Sequence, residues 1–233
     1  MQDIRNKFKD FFKDLKFSEE EHKYTVNGEI IKLSVSGKIK EFYKPFDTEG
    51  ISAKIAEKTG ENQQDIKNKW KQISKEACEH GTEVHLFGEL YPFDRTLIPS
   101  NAKEEAIKKF WDELPEYIVP VYVELRMYHK VKMYAGTADI ILYNKLTNKY
   151  IIADYKTNKD LFKNYKEQKL LYPFQNYLET PLNKYQIQLN FYQILLEQIE
   201  GIEVSHRKVI WLLPDGTYKI YDCEDLRDKL EFY

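Results

Sequence analysis

Two predicted strands each carry a carboxylate in an otherwise apolar run. Asp139 lies in residues 136–142 (GTADIIL), and Asp154 lies in residues 151–157 (IIADYKT). An ionised carboxylate in apolar surroundings is costly unless a metal ion or a cationic side chain compensates its charge. Both segments are therefore candidates for a site that binds a cation or forms an ion pair.

The spacing of Asp154 and Lys156 places both side chains on one face of a strand, with Tyr155 on the opposite face. With Asp139 on the neighbouring strand, two carboxylates and one ammonium would share a small patch. Oxygen ligands of this kind suit Mg²⁺ or Mn²⁺. Such an ion polarises a phosphate and activates water, and an ammonium neutralises charge that develops on the phosphate. The alternative, from the residues alone, is a structural ion pair between Lys156 and either acid.

The elements around these residues predict an α/β fold. Strands joined by short turns should be antiparallel neighbours, and a strand reached through a crossover helix should lie parallel to its partner. The order strand, strand, strand, helix, strand therefore predicts a central mixed β-sheet flanked by helices. The predicted strands are 117–127, 131–143, 150–155, 209–213 and 218–221, and the crossover helix is 183–199.

The N-terminal part of the chain predicts helices and one hairpin. Ile4, Phe8, Phe11 and Leu15 recur at helical spacing, and Asn27-Gly28 is a two-residue turn signal within a hairpin over 22–33. Further helices are predicted over 50–58, 62–90 and 102–114. The helix over 62–90 has a predicted break near Gly81 and a buried stripe formed by Ile66, Trp70, Ile73 and Ala77.

Length and composition predict one domain. The 233 residues divide into an N-terminal hairpin and helices (1–60), a core (61–222) and a C-terminal helix (223–233). With 42% hydrophobic and 32% charged residues, the sequence is typical of a globular protein. The net charge of −2 argues against bulk electrostatic coating of nucleic acid, although residues 130–169 hold nine Lys against four acids.

The cysteine count and the hydropathy pattern argue against several classes of protein. Two cysteines, Cys78 and Cys223, cannot supply the ligands of an iron–sulfur cluster or a disulfide framework. The first residues do not have the pattern of a signal peptide, and no apolar run is long enough for a membrane span. We therefore expect a cytoplasmic protein with no membrane partner.

The ordered set of motifs resembles a known nuclease family. Asp139 is followed by Asp154-Tyr155-Lys156, then by Gln188-x-x-x-Tyr192, and His85 lies on an upstream helix. This order resembles the RecB-like branch of the PD-(D/E)XK nuclease superfamily, which includes lambda-exonuclease-like and mitochondrial genome maintenance exonuclease-type enzymes. The resemblance covers residues 81–196. Alanine stands where the superfamily has proline before the first acid, and the cysteine cluster of some relatives is missing.

The resemblance implies a restriction-endonuclease-like core with a metal-dependent active site. His85, Asp139 and Asp154 would bind Mg²⁺ or Mn²⁺, helped by the Tyr155 carbonyl. Lys156 would be the catalytic ammonium. Glu124 occupies a strand position where relatives often carry an acid that orders water or metal; an exposed strand glutamate is the alternative.

The resemblance also implies contacts to DNA. Gln188 and Tyr192 would contact DNA or support the active site, with helix-to-sheet packing as the alternative. Ser34 and Ser36 resemble an element that grips a phosphate, and simple helix capping is the alternative. Apart from the resemblance, the aromatic residues Tyr165, Tyr172 and Phe174, in the segment 162–185, are candidates to stack on unpaired bases, with core or surface packing as the alternative for each.

The implied function is hydrolysis of DNA phosphodiesters, as an exonuclease acting on ends or single strands in replication, recombination or repair. A protein partner from recombination or replication would fit this role. The rivals are a non-catalytic nucleic-acid-binding or scaffold module on the same fold, and a structure-specific or sequence-specific endonuclease.

Overall fold

A computed structural model describes residues 2–21, 23–231 and 233. The strands are β1 (Leu15–Ser18), β2 (Lys23–Val26), β3 (Glu29–Ile30), β4 (Leu33–Ser34), β5 (Ile118–Tyr128), β6 (Tyr134–Asn144), β7 (Lys149–Lys156), β8 (Val204–Leu212) and β9 (Tyr218–Asp222). The helices are α1 (Gln2–Phe11), α2 (Val35–Ile39), α3 (Thr48–Thr59), α4 (Gln63–Leu90), α5 (Ala102–Asp112), α6 (Pro181–Leu196) and α7 (Arg227–Leu230).

A six-stranded mixed sheet forms the centre of the fold. Its strands run in the order β4-β6-β7-β8-β9, and β5 pairs with β6. The strands β5, β6 and β7 follow one another through short turns and are antiparallel, whereas β8 follows the crossover helix α6 and is parallel to β7. The predicted mixed sheet is therefore confirmed.

The strands β6 and β7 are hydrogen-bonded to each other over only part of their length. Their pairing runs from Asn144↔Lys149 to Ile140↔Ala153 and ends there. The short strand β4 pairs with β6 further along, at Tyr134 and Ala135. The sheet thus has a fork directly beyond Ile140 and Ala153, and the next residues on the two strands are Asp139 and Asp154.

The two faces of the sheet are covered by different helices. On one face, Ile152 of β7 and Ile141 of β6 belong to a core cluster with Phe191 of α6. On the other face, Tyr155 of β7 belongs to a cluster with Ile107 of α5, to which α4 also contributes. The two clusters alternate along β7, so Tyr155 lies on the face opposite Asp154 and Lys156, as predicted.

The N-terminal region adds a separate three-stranded sheet in the order β1-β2-β3. Asn27 and Gly28 have φ values of 51° and 87°, as a tight hairpin turn requires, so the predicted hairpin is confirmed over the described residues. His22, where that prediction begins, lies outside them, as does Phe232 of the predicted C-terminal helix. Leu15 does not extend the first helix as predicted, because it pairs with Val26 as the first residue of β1.

The longest helix differs from its prediction in two ways. The helix α4 is continuous over 28 residues, so the predicted break near Gly81 is wrong. A single glycine costs about 1 kcal/mol relative to alanine, which the packing of the C-terminal half of this helix outweighs. The predicted buried stripe is also wrong at Ile73 and Ala77, which are exposed, since the part of α4 before Gly81 does not lie against the sheet.

One strand begins later than predicted, and one further segment has no regular structure. Residues 131–133 form a turn before β6, and Val131 is exposed. The segment 159–180 contains no helix and consists of turns with one isolated bridge, Lys169↔Leu178. None of the helices in the described part of the chain is both long and apolar enough to cross a membrane.

Two glycines of α4 provide a matched test of this packing. A Cβ on Gly88 would lie 2.6 Å from the buried ring of Tyr155, whereas a Cβ on Gly81 would meet nothing closer than 3.7 Å. We expect Gly88→Ala to lower the free energy of unfolding by about 1–3 kcal/mol through overpacking. Gly81→Ala should raise it by up to about 1 kcal/mol, because alanine is the better helix former. Urea unfolding of both variants checks this, and equal effects would contradict the described packing of α4.

Candidate metal centre

Three acids lie side by side on β5, β6 and β7. The β5–β6 register passes from Val123↔Ile140 to Leu125↔Ala138, which places Glu124 opposite Asp139. The β6–β7 register ends at Ile140↔Ala153, one residue before Asp139 and Asp154. The fork in the sheet is therefore lined by Glu124, Asp139 and Asp154.

Glu124 has an unusual backbone conformation. Its φ is 49°, in the left-handed region that non-glycine residues seldom adopt within a strand. Conformations of this kind cost of the order of 1–3 kcal/mol and are concentrated at functional sites. With this backbone conformation, the Glu124 carboxylate lies near His85 of α4 and Asp139 of β6.

A possible metal-ligand group forms where α4 crosses the fork. Ligand atoms of His85, Glu124 and Asp139 all lie within 4.8 Å of one another. The imidazole Nδ1 of His85 is 3.2 Å from Oδ2 of Asp139, and both side chains are largely buried. One imidazole and two carboxylates can hold a divalent cation. Carboxylates suit Mg²⁺ and Mn²⁺, while imidazole is more typical of transition metals, so Mn²⁺ fits this set at least as well as Mg²⁺.

The close approach of α4 is what brings His85 to the sheet. Val84 and Phe87 are buried against the sheet, and Gly88 lies directly on the Tyr155 ring. His85, one residue after Val84, sits at the border of this contact and reaches Asp139 at the fork. Two of the three predicted metal ligands, His85 and Asp139, therefore lie in contact.

Asp139 also links β6 to β7 at the point where their backbone hydrogen bonds end. The backbone N–H of Tyr155 donates to Oδ2 of Asp139 over 2.9 Å. The side chain of Tyr155 is buried on the opposite face of the sheet. The main chain of Tyr155 therefore lies beside Asp139, and a metal contact by its carbonyl stays a prediction.

Asp154 does not belong to the three-residue group. It is 1% exposed and forms an ion pair with the ammonium of Lys156 on the same strand face. The Lys156 ammonium also lies 4.4 Å from the centre of the Tyr185 ring, a favourable cation–π contact. The Tyr185 hydroxyl donates to Oδ1 of Asn158 over 2.8 Å, which fixes the ring. Lys156 is therefore held between a carboxylate and an aromatic face.

The site carries an excess of negative charge. Burial, followed by the charges of Asp139, Glu89 and Asp154, raises the pKa of Glu124 to about 8. Burial and then the charge of Asp139 raise the pKa of Asp154 to about 6, although Lys156 opposes this. A nearby cation would relieve the repulsion among these groups.

The same charges keep Lys156 protonated. Burial disfavours its ammonium form, but the charges of Asp154 and Asp139 outweigh burial and hold the pKa of Lys156 above its usual range. A positively charged side chain thus stands beside the candidate metal ligands at neutral pH.

Glu89 is a site residue that the sequence prediction missed. It follows His85 by four positions on α4, so both side chains lie on the same helix face. Its charge contributes to the raised pKa of Glu124. The spacing His85-x-x-x-Glu89 was a usable signal. Tyr185 and Asn158 were missed as well, and nothing in their spacing marks them.

The Gln188–Tyr192 pair lies on α6 beneath the fork. The Gln188 side-chain amide donates to the Tyr192 hydroxyl over 2.7 Å. Tyr192 is 4% exposed and packs on Gly136 of β6. Its burial favours the packing alternative for Tyr192, whereas Gln188 is half-buried and its role at DNA stays a prediction.

Ser34 caps the helix α2, and the Ser36 hydroxyl is hydrogen-bonded to it. The Ser34 hydroxyl accepts the backbone N–H of Gly37 over 3.0 Å, and the two serine hydroxyls lie 2.8 Å apart. This confirms the capping alternative at the start of α2. A phosphate contact by these serines stays a prediction.

The proposed stacking residues fall into two groups. Tyr165 and Tyr172 are 67% and 74% exposed, so their rings are open to solvent. Phe174 is fully buried, with its ring 4.9 Å from that of Phe42. The prediction that Phe174 stacks on bases is wrong, because the ring completes the core beneath α6.

Comparisons with known proteins do not assign this chain to a family. No protein-family model matches it, and a search of curated protein sequences found no match. The chemistry of the site is therefore argued from its geometry and from the motif resemblance.

The charge on Glu124 yields a prediction for the metal-free protein. Because its folded pKa of about 8 exceeds the unfolded value near 4.3, the fold favours the protonated form and loses stability as the pH rises from about 4.3 to 8. Glu124→Gln should therefore melt at about the same temperature as the wild type near pH 4.5 and a few degrees higher at pH 8. Added Mn²⁺ should stabilise the wild type more than this variant.

Thermal melts at both pH values, with chelator or with Mn²⁺, measure these differences. Glu116→Gln is the matched control, since Glu116 is exposed and far from the acids in sequence and on the sheet. A melting temperature of Glu124→Gln that follows the wild type at every pH would show that Glu124 is not held protonated.

Proposed function

We propose that the chain is a metal-dependent nuclease that hydrolyses DNA phosphodiesters at the fork between β6 and β7. The observation that carries the proposal is the meeting of a candidate metal-ligand group (His85, Glu124 and Asp139) with the buried ion pair of Asp154 and Lys156. The element order and the motif order agree with what the resemblance to the RecB-like branch implies.

The ligand chemistry supports this reaction class. His85, Glu124 and Asp139 would hold the cation, and Asp154 lies on the next strand beside Asp139. A divalent cation in this position supplies Lewis-acid polarisation of a phosphate and lowers the pKa of bound water. The site thus offers the components that phosphodiester hydrolysis needs, all at one end of the sheet.

The chain's own residues supply the charge stabilisation. Lys156 is charged at neutral pH and lies close enough to Asp139 to feel its charge. Its ammonium is suited to neutralise negative charge that builds up on the phosphate oxygens. Asp154 and Tyr185 keep the ammonium in place from two sides, so no reorganisation is required when that charge develops.

The finer parts of the proposal concern the substrate. Exonucleolytic action on DNA ends is proposed from the family resemblance alone.

The buried ammonium argues against a non-catalytic module. A protein that only binds a strand would have no need for an ammonium buried beside three acids, since that arrangement costs folding energy without adding affinity for the strand.

Two conservative variants separate catalysis from a structural ion pair. Asp154→Asn preserves size, and Lys156→Arg preserves the positive charge and the ion pair, so both should stay folded. We expect each to lower the cleavage rate by about 10²–10³, the usual cost of one preorganised electrostatic contact. DNA affinity should change much less, because the other contacts between the protein and the DNA backbone would remain.

The measurement uses end-labelled linear and circular DNA with Mg²⁺, Mn²⁺, Ca²⁺ or chelator. Cleavage should occur with Mg²⁺ or Mn²⁺ but not with Ca²⁺, whose longer bonds and higher coordination number do not align the water. Lys159→Arg, on the exposed loop after β7, is the control and should cut at the wild-type rate. Full activity in chelator, or wild-type rates for both site variants, would reject the proposed centre. Cleavage of circular DNA would reject exonuclease action.

A further inference from the structure

A helical arm, defined as residues 46–83, projects from the sheet. Its helices α3 and the first half of α4 pack mainly against each other, and the buried residues of this arm are Ser52 and Ile66. The arm is thus not part of the main core. Apolar side chains on its surface need another explanation than core packing.

Two aromatic rings meet on the surface of the helical arm. Phe46 is 64% exposed and Trp70 is half-buried. Their ring centres are 5.6 Å apart at an interplanar angle of 70°, an edge-to-face contact. With 64% of its surface exposed, Phe46 still offers ring surface to solvent. Within the described part of the chain, the Trp70 indole N–H has no hydrogen-bond partner.

Polar groups surround these rings. Phe46 and Trp70 share an open cavity of about 490 Å³ with Thr48, Lys67, Lys71 and Ser74. Lys67 is neutralised by Glu49 at 3.0 Å, whereas Lys71 has no ion pair among the described residues. The cavity therefore combines two rings, hydroxyl donors and one uncompensated positive charge.

We propose that Phe46, Trp70 and Lys71 bind an unpaired nucleic-acid strand. The rings offer faces for base stacking, Lys71 offers a charge for a backbone phosphate, and the hydroxyls and the indole N–H offer hydrogen bonds. A base within a duplex already has both faces stacked and cannot insert between these groups. An apolar protein partner would gain nothing from the uncompensated lysine, so the charge favours a strand.

The position of the arm relates this surface to the metal centre, and in this respect the proposal rests on the proposed function. Trp70 and His85 lie on the same continuous helix, fifteen residues or about 22 Å apart. Two ring–ammonium pairs occur outside the arm: Lys184 lies 3.7 Å from the Tyr43 ring centre, and Lys156, beside the acids, lies 4.4 Å from that of Tyr185.

Binding measured in chelator tests the proposal without any cleavage. The probe is a fluorescein-labelled thymidine oligonucleotide of about 16 nucleotides. Phe46→Ala and Trp70→Ala should each weaken its binding by about 5- to 150-fold, the range found for loss of one stacking ring. A blunt duplex of the same length should bind all variants equally. Lys71→Glu should weaken binding and lower the dependence on salt by about one phosphate contact.

Two controls separate stacking from other causes. Ile73→Ala removes an apolar side chain one turn from Trp70 that is 62% exposed, close to the 64% of Phe46, and it should leave binding unchanged. Trp70→Phe retains a ring, so it should bind nearly as well as the wild type while losing the fluorescence quenching that the strand causes at Trp70. Lys58→Glu makes the same charge change as Lys71→Glu on the arm, away from the cavity.

The results distinguish this proposal from the nuclease chemistry. Weaker strand binding of the ring variants supports the surface even if the protein cuts nothing. Unchanged strand binding in Phe46→Ala and Trp70→Ala overturns it even if the wild type is an active nuclease. An equal loss in Ile73→Ala overturns stacking. A change in solution mass of Trp70→Ala without a change in strand binding assigns the surface to a second copy of the chain and likewise overturns it.

Discussion

Repulsion among Glu124, Asp139 and Asp154 is the constraint on which the centre of this structure depends. Three adjacent strands in regular register would place these carboxylates in a row, within a few ångströms of one another and largely out of water. Like charges at this distance and burial disfavour the ionised forms strongly. Glu124 departs from regular strand geometry, the β6–β7 ladder ends before Asp139 and Asp154, and each acid has a nearby polar partner.

The departures differ from strand to strand. On β5, a left-handed residue takes Glu124 out of the strand's alternation toward His85. On β6, Asp139 accepts a backbone N–H that the interrupted ladder leaves unpaired. On β7, Asp154 takes the ammonium of Lys156. The fork is therefore the geometric consequence of putting three acids side by side, and the space it opens is where a cation fits.

Small residues allow the helices to reach this space from both faces of the sheet. Gly88 lets α4 settle on the Tyr155 ring, which brings His85 to the fork. Gly136 receives the Tyr192 ring from α6 on the other face, and a Cβ there would lie 2.8 Å from that ring. A larger side chain at either glycine would lift a helix off the sheet and withdraw a polar group from the acids.

The sequence predicts the parts of the fold that follow from local pattern. The strands, the Asn27-Gly28 turn and the parallel pairing across α6 depend on alternation and on turn chemistry, which neighbouring residues determine. The exposure of Ile73 and the burial of Phe174 do not follow from local pattern. The spacing of apolar residues indicates which of them share a face, but it does not show what packs against that face. The left-handed φ of Glu124 could not be predicted from the sequence either, since Glu124 meets the other charges only when distant strands come together.

Helix continuity links the metal centre to the helical arm. An unbroken α-helix is a stiff rod, and α4 carries Ile66, Trp70 and His85 on one such rod. Its C-terminal half is fixed by burial against the sheet, whereas its N-terminal half packs against α3 and the ring of Phe46. A ligand held at Trp70 would thus be positioned relative to His85 without any contact between the arm and the core. Gly81, at the point where the helix leaves the sheet, is the one position on this rod at which bending costs least, so the order of the arm depends on the packing on either side of it.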